Sequence, residues 1–203
     1  MKMLLIVLGV LAAIVAAGVL FVGGVYNGLV NRAQAVDAQW AQVQNVYQRR
    51  SDLIHNLVAT VAGAANFEKS TLTEITEARA SVGKVQLNNS GTPSAAQLAQ
   101  FEQAQGALSS ALSRLLVVAE NYPSLKATAN FQELQAQLEG TENRISVERG
   151  RFNDLARDYN SAIKRVPAVF LAGLLGFAEK PYFTAKPGSD TPPPVQFDFT
   201  KKP

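Results

Sequence analysis

The single histidine and the paired carboxylates that could perform acid–base or metal chemistry lie on predicted helices. The 203 residues include a single histidine, His55, and no cysteine. The pairs Glu139/Glu142 and Asp154/Asp158 have the three- and four-residue spacing at which helical carboxylates share one face. Di-metal helix bundles combine such carboxylates with inward Glu-x-x-His pairs, which one histidine cannot supply. We therefore interpret both pairs as part of a solvated helix face.

The sequence also lacks the motifs that mark other catalytic sites. It contains no nucleophile elbow, no P-loop and no dinucleotide-binding glycine motif. Because it has no cysteine, it has no thiolate nucleophile and no thiolate ligand for zinc. The net charge of +3 is too small to indicate the basic face of a nucleic-acid-binding protein. We therefore expect a non-enzymatic protein with no catalytic residue, no cofactor, no metal site and no nucleic-acid partner.

A long apolar run at the N-terminus indicates a membrane. Residues 3–25 carry only apolar side chains or glycine. As a helix they would extend about 35 Å, enough to cross a hydrocarbon core of about 30 Å. Tyr26 follows the run, where an aromatic ring suits the lipid–water interface. Residues 1–26 are therefore predicted to form a transmembrane anchor, whose lipid-facing side chains are Leu4, Leu5, Ile6, Leu8, Leu11, Ile14, Leu20 and Phe21.

A cleaved signal peptide is the alternative explanation of this run. Its apolar region would span about 7–15 residues and end at a small-x-small site. Here the run is longer, and the candidate site Ala33-Gln34-Ala35 lies inside the next helical pattern. We therefore expect an uncleaved, single-pass anchor. Lys2 on one side and Arg32 on the other give a slight charge bias, which favours the domain on the periplasmic or outer side.

After the anchor, apolar residues recur at alternating steps of three and four, which is typical of helices that pack along one another. Interruptions at Gly63, in the loop 83–92 and at Pro123 divide residues 27–166 into four segments. The pattern predicts an all-α fold, an antiparallel four-helix bundle with coiled-coil packing. Without a break at Gly63, the alternative is three very long helices. The predicted core positions are Trp40, Val43, Tyr47, Ile54, Leu57, Leu138, Ile145, Phe152 and Tyr159.

Local signals predict where the later helices begin and end. Asn66 is a candidate N-cap for the second helix. Thr92 and Pro93 have the residue types of the N-cap and first position of the third helix. The last helix is expected to start near residues 128–130 and to end at Pro167.

The topology predicts where the apolar segment after Pro167 lies. Four antiparallel helices return the end of the last helix to the start of the first, which is the membrane surface. Residues 168–177 are apolar but too short to span a bilayer, so we expect them to rest against it. The membrane-proximal residues of this segment are Phe170, Leu171, Leu174, Leu175 and Phe177.

The remaining chain, which completes a third region over residues 167–203, is rich in proline. Six of the nine prolines follow Glu179, so we expect an extended tail. Alternating apolar and polar residues near its end are typical of peptides that place alternate side chains in pockets. We therefore predict docking on a hydrophobic groove of the bundle, or of a neighbouring protomer, by Val195, Phe197 and Phe199. A frayed C-terminus is the alternative.

Two charged residues, Arg50 and Glu148, occupy predicted core positions. A charge inside a core is costly unless it is paired, and its usual benefit is a fixed helix register. In an antiparallel arrangement, position 50 lies roughly opposite positions 140–148. We expect a buried or half-buried charge network with a structural role, formed by Arg49 or Arg50 with Glu139, Glu142 or Glu148.

Several segments of the chain, taken in order, carry a family resemblance. The most specific are residues 49–54, Arg-Arg-Ser-Asp-Leu-Ile, and residues 138–145, Leu-Glu-Gly-Thr-Glu-Asn-Arg-Ile. Together with Gly-Leu-Leu-Gly-Phe at residues 173–177, they resemble the bacterial LemA family, and the resemblance extends from the anchor to Phe199. One departure is His55, where the family usually has a proline that would kink the helix.

The resemblance implies a membrane-anchored helical bundle with no established catalytic activity, self-association, and a frequent genomic association with membrane zinc metalloproteases. Relatives are commonly described with the domain in the cytoplasm, which disagrees with the charge bias, so the side of the membrane stays open. We expect a single-pass scaffold in the bacterial inner membrane that assembles as a homo-oligomer. The alternative is an adaptor or accessory subunit of a membrane zinc metalloprotease.

Overall fold

The computed structural model describes residues 2–64, 67–85 and 91–185. These residues are mostly helical and include no strand, which confirms the predicted all-α class. In chain order the helices are α1 (Lys2–Ala62), α2 (Lys69–Gly83), α3 (Ala95–Ala119), α4 (Pro123–Lys126), α5 (Ala129–Lys164) and α6 (Val169–Ala172). The helices α4 and α6 are single turns of four residues.

The first helix, α1, is uninterrupted over 61 residues and contains both the predicted anchor and the first bundle helix. No proline precedes Pro93 in the chain, so no residue of α1 lacks a backbone donor or clashes with the preceding turn. The helix therefore continues through His55. It ends at Ala62, and Gly63 follows in a turn, where the break was predicted. Asn66, the predicted cap of α2, lies outside the described residues.

The helices α1 and α5 pack along each other in antiparallel directions. Gln39 of α1 donates a hydrogen bond to Glu148 of α5, whereas Arg50, further along α1, pairs with Glu142. Residue numbers therefore rise along one helix as they fall along the other. This direction brings the end of α5 back to the part of α1 that adjoins the apolar span.

The core consists of two apolar clusters, one nearer to the span and one farther from it. The nearer cluster surrounds Trp40, whose ring contacts Phe101 of α3 and Phe152 of α5 at centroid distances of 5.7 and 5.8 Å. The farther cluster joins α1, α2, α3 and α5. Full burial of one large apolar side chain contributes about 1.5–3 kcal/mol. The two clusters contain all nine predicted core positions, namely Trp40, Val43, Tyr47, Ile54, Leu57, Leu138, Ile145, Phe152 and Tyr159.

The predicted start of α3 is wrong by two residues. The helix begins at Ala95, and its N-cap is Ser94, which forms a reciprocal capping box with Gln97. Thr92 does not cap the helix because its backbone N–H and its hydroxyl both donate to the Asp37 carboxylate, at 2.9 and 2.6 Å. A contact with α1 therefore overrides the local signal.

The last long helix, α5, begins where its sequence predicts. Thr128 is the N-cap, and its hydroxyl oxygen accepts a hydrogen bond from the Phe131 N–H. The helix ends at Lys164, shortly before Pro167, because proline disfavours helical backbone in the residue before it.

The core assignment predicts a large difference between two neighbouring positions of α5. Leu138 is buried in the farther cluster, whereas the side chain of the half-buried Gln137 donates a hydrogen bond to Glu133 of its own helix. Leu138→Ala should lower the free energy of unfolding by about 2–5 kcal/mol, and Gln137→Ala by no more than about 0.5 kcal/mol. Thermal unfolding of the full chain in detergent, followed by circular dichroism, measures the difference. Equal melting temperatures would contradict the assignment.

Candidate functional site

The N-terminal part of α1 is the largest apolar surface that nothing covers in the described protein. Its most apolar 18-residue window has a mean hydropathy of 3.0, and none of that window is buried. By length and composition, α1 is able to cross a membrane, and it is the one such helix among the described residues. The predicted lipid-facing residues are all exposed, namely Leu4, Leu5, Ile6, Leu8, Leu11, Ile14, Leu20 and Phe21.

A second exposed apolar surface lies where the apolar span ends. The ring of Phe177 contacts the ring of Tyr26 edge-on, with centroids 5.6 Å apart. The segment after α5 therefore returns to the base of the bundle, next to the span. Within this segment the structure leaves Phe170 and Leu174 exposed and places Leu171, Leu175 and Phe177 in half-buried positions.

The exposed side of this segment forms one apolar patch. Ala172 packs into the nearer core cluster, so the side chains on the opposite side point away from the bundle. Phe170 is 71% exposed and Leu174 is 86% exposed. We call this surface the membrane-proximal patch and define it by the exposed residues Val166, Val169, Phe170 and Leu174.

Two asparagines of α5 hold the chain that follows by its backbone. The Asn160 side chain donates to the Lys180 carbonyl and accepts from the Lys180 N–H, both at 2.8 Å. Asn153 makes the same two hydrogen bonds with Phe183, both at 2.9 Å. Each amide side chain thereby supplies the donor and acceptor that a neighbouring β-strand would supply. We call Asn153 and Asn160 the asparagine clamp.

Phe183 anchors the chain that the clamp holds in the core. We call residues 178–185 the docked segment. Its ring is buried, stacks on Trp40 with centroids 6.0 Å apart, and meets Phe152 edge-on at 5.4 Å. The Arg149 guanidinium lies 4.5 Å from the ring centroid of Phe183, a cation–π distance. The segment after α6 is therefore a part of the nearer core cluster, held by both polar and apolar contacts.

Asp37 of α1 joins three separate segments at the same end of the bundle. Its carboxylate accepts hydrogen bonds from Thr92, which precedes α3, and from the Lys180 ammonium at 2.9 Å. Burial alone would raise the pKa of this carboxyl, but the hydrogen bonds from Thr92 and Lys180 outweigh that effect and hold the pKa below its ordinary value. The charged carboxylate therefore contributes to the docking of the segment.

The predicted charge network is centred on one ion pair. Arg50 is 3% exposed, its Nε lies 2.8 Å from Glu142 Oε1, and its Nη2 donates to the Ser109 hydroxyl at 2.6 Å. Glu142 itself is 46% exposed. A buried guanidinium without its partners would be strongly destabilising, so these contacts fix the position of α5 and α3 relative to α1.

The other predicted members of the network lie elsewhere. Glu148 is half-buried, but it accepts from Gln39 at 2.6 Å and pairs with Arg151 at 2.8 Å. Arg49 and Glu139 are exposed, and neither takes part in this ion pair. Arg49 and Glu139 each lie next to a buried residue in the sequence. Neighbouring side chains on a helix point about 100° apart, so both residues point away from the interface.

Sequence reasoning missed the residues that hold the docked segment. The seven-residue spacing of Asn153 and Asn160 is a signal that could have found the clamp, because it places both on one helix face. Their partners are backbone groups of Lys180 and Phe183, and backbone groups carry no mark in a sequence. The residues predicted to dock, Val195, Phe197 and Phe199, lie outside the described residues.

The described residues contain no group of three or more His, Asp or Glu side chains that could hold a metal ion. The site therefore consists of apolar surfaces at a bundle end, adjoining an exposed apolar helix. A helical bundle continuous with a helix able to cross a bilayer defines a membrane-associated, all-α protein.

Comparison with known proteins gives the family of this chain. The sequence model of the LemA family matches residues 39–197, which is more than half of the chain. The chain therefore belongs to the LemA family, as its motifs predicted. The match includes α1 from residue 39 onward, all of α5 and the asparagine clamp.

Individual relatives have low identity but long alignments. Magnetosome protein MamQ of Magnetospirillum gryphiswaldense is 28% identical over 185 residues, which cover 82% of this chain and 67% of the relative. Magnetosome protein MamQ 1 of Paramagnetospirillum magneticum is 28% identical over 189 residues with the same coverage. Protein LemA of Metamycoplasma hominis is 23% identical over 137 residues, which cover 68% of this chain and 58% of the relative.

The lowered pKa of Asp37 predicts a pH-dependent stability. Because the folded pKa lies below the ordinary value of 3.8, the stabilisation is fully present above that pH and is lost as the pH falls through the folded value. Asp37→Asn should therefore lower the free energy of unfolding by about 1–3 kcal/mol at neutral pH. The difference in free energy of unfolding between this variant and the unaltered protein should become smaller below pH 3.8.

Thermal unfolding of both proteins at neutral and strongly acidic pH measures this gap. The matched control is Asp158→Asn, because Asp158 is 68% exposed and its nearest cation, on Arg157, is 3.9 Å away. This control should change stability little at either pH. A gap for Asp37→Asn that is independent of pH would contradict the assigned role.

Proposed function

We propose that the protein is a single-pass scaffold of the bacterial inner membrane, whose helical bundle rests against the bilayer and which assembles there as a homo-oligomer. The observation that carries this proposal is the membrane-proximal patch. The patch adjoins the end of the apolar span through the contact between Phe177 and Tyr26. No chemistry at a catalytic centre is part of the proposed function.

The hydrophobic transfer free energy supports bilayer contact of the patch. Moving the side chain of Phe170 or of Leu174 from water into an apolar medium is favourable by about 1.5–3 kcal/mol per side chain. Contiguous exposed apolar surface on a protein marks an interaction site. The hydrocarbon beside the span is the apolar medium nearest to the patch, and a short apolar segment is stable at such an interface.

The continuity of α1 supports a fixed orientation of the bundle. No proline occurs between the span and the core residues of α1, so no break separates the two parts of this helix. The span and the bundle therefore move together. Insertion of the patch beside the span would add a second point of attachment and hold the bundle against the membrane.

Small residues in the span support self-association. Gly9, Ala13 and Ala17 are spaced four residues apart, so they lie on one face of α1, and no other described residue buries this face. Transmembrane helices approach one another closely where such small residues align. Family membership and the long amphipathic bundle are compatible with assembly of several copies.

A tryptophan probe tests the contact between patch and bilayer. Phe170→Trp in full-length protein, reconstituted with lipids brominated on their acyl chains, should add emission that the bromines quench. Trp40, the one native tryptophan, is 2% exposed and gives a background remote from lipid. The control Val147→Trp, at a 51% exposed position in the middle of α5, should escape quenching. Equal quenching of the two probes would refute the contact.

Size and composition of the purified particle test the assembly. The proposed scaffold predicts a uniform particle in mild detergent that contains several copies of this chain and nothing else. Crosslinking in native membranes before extraction should give the same copy number. A single-chain mass in both measurements refutes self-association. A membrane zinc metalloprotease purified with the single chain would instead support the adaptor function.

A further inference from the structure

The asparagine clamp has a spacing that can continue along α5. Asn160 and Asn153 are one heptad apart, about 10.5 Å along a helix, and their partners Lys180 and Phe183 are three extended residues apart, about 10 Å. The two repeats are nearly equal, so the docked segment runs antiparallel to α5 in register with it. Ser146 lies one heptad before Asn153 in the sequence, and Lys186 lies three residues after Phe183, so these two positions continue the same spacing.

A polar cleft begins where the docked segment reaches Ala185. The cleft has a volume of about 540 Å³ and lies between α1, α3 and α5. Thr184 and Ala185 form part of its wall, and a smaller cleft of about 340 Å³ shares both residues and extends to Ser146. We call these joined spaces the tail cleft, whose other lining residues include Tyr47, Arg50, Gln105, Ser109, Glu142 and Arg149.

The tail cleft contains an acceptor that lacks a donor. Gln105 is 6% exposed, and its side-chain oxygen is buried without a hydrogen-bond partner among the described residues. Leaving such an oxygen buried and unpaired is destabilising. Glu142 lies at the same cleft with its carboxylate half in solvent. The cleft therefore suits an occupant that brings donors, such as backbone N–H groups or an ammonium group.

We infer that the tail cleft binds the segment of this chain that follows Ala185, in an extended conformation that continues the docked segment. The chain has 18 more residues after Ala185, and the first of them is Lys186. Because the docked segment already ends in the wall of the cleft, these residues reach it at a millimolar effective concentration. Their backbone N–H groups and the Lys186 ammonium can donate to the unpaired Gln105 oxygen and to the part of the Glu142 carboxylate that faces solvent.

The absence of native cysteine allows a direct test of the register. In otherwise unaltered full-length protein, Ser146→Cys combined with Lys186→Cys should form a disulfide within one chain. The control combines Val147→Cys with Lys186→Cys, because Val147 is exposed one residue further on and points about 100° away around α5. We expect the first cysteine pair to oxidise roughly tenfold faster than the control pair, because a bound segment holds its cysteine beside position 146 whereas a free segment does not.

A second comparison tests the clamp itself. Adding Asn153→Ala to the first pair should reduce its rate to that of the control, whereas adding Asn143→Ala, at an exposed asparagine of the same helix, should change nothing. Circular dichroism checks that each variant is folded, and the comparison of the two cysteine pairs needs neither alanine variant. Equal rates for the two cysteine pairs would overturn the inference. A disulfide between two chains would overturn it also, because the occupant would then be the tail of a second copy.

Discussion

The continuity of α1 is the constraint on which the other elements depend. One helix carries the apolar span and also the core residues Trp40 and Ile54, with no proline between them. Because a helix of this length is stiff, the core begins at a fixed distance from the end of the span. The antiparallel packing of α5 on α1 then requires that α5 end beside the span. The docking of the following residues, up to Ala185, depends on that return.

The segment after α5 uses this position in two ways. One side of it, at Ala172, closes the nearer core cluster, and the other side exposes Phe170 and Leu174 beside the span. Beyond α6 the chain turns back along α5, where the clamp binds its backbone and Phe183 enters the core. Asp37 links this docked segment to the start of α3. The proline-containing segment is therefore part of the bundle up to Ala185, and its polar contacts use charged and amide groups that the helices already present.

Local signals predicted those parts of the fold that local interactions control. The break at Gly63 and the start of α5 near residues 128–130 depend on neighbouring residues only, and both are found in the structure. The predicted start of α3 is wrong because Thr92 binds Asp37, which is 55 residues away in the sequence. Within the candidate site, composition identified Phe170 and Leu174 of the patch, whereas the clamp was missed because its asparagines bind backbone groups.

The sequence by itself determined the apolar span, the helical class and the core positions, because hydrophobic length and a repeat of three and four residues are properties of single helices. The tertiary structure alone decided which charges pair. Arg50 meets Glu142 while Glu139 is exposed, since the register between α1 and α5 depends on the packing of all their core side chains. The tertiary structure alone also decided that Asn153 and Asn160 hold the chain near Phe183. These hydrogen bonds join residues that are 30 and 20 positions apart in the sequence, and only the folded bundle brings such residues together.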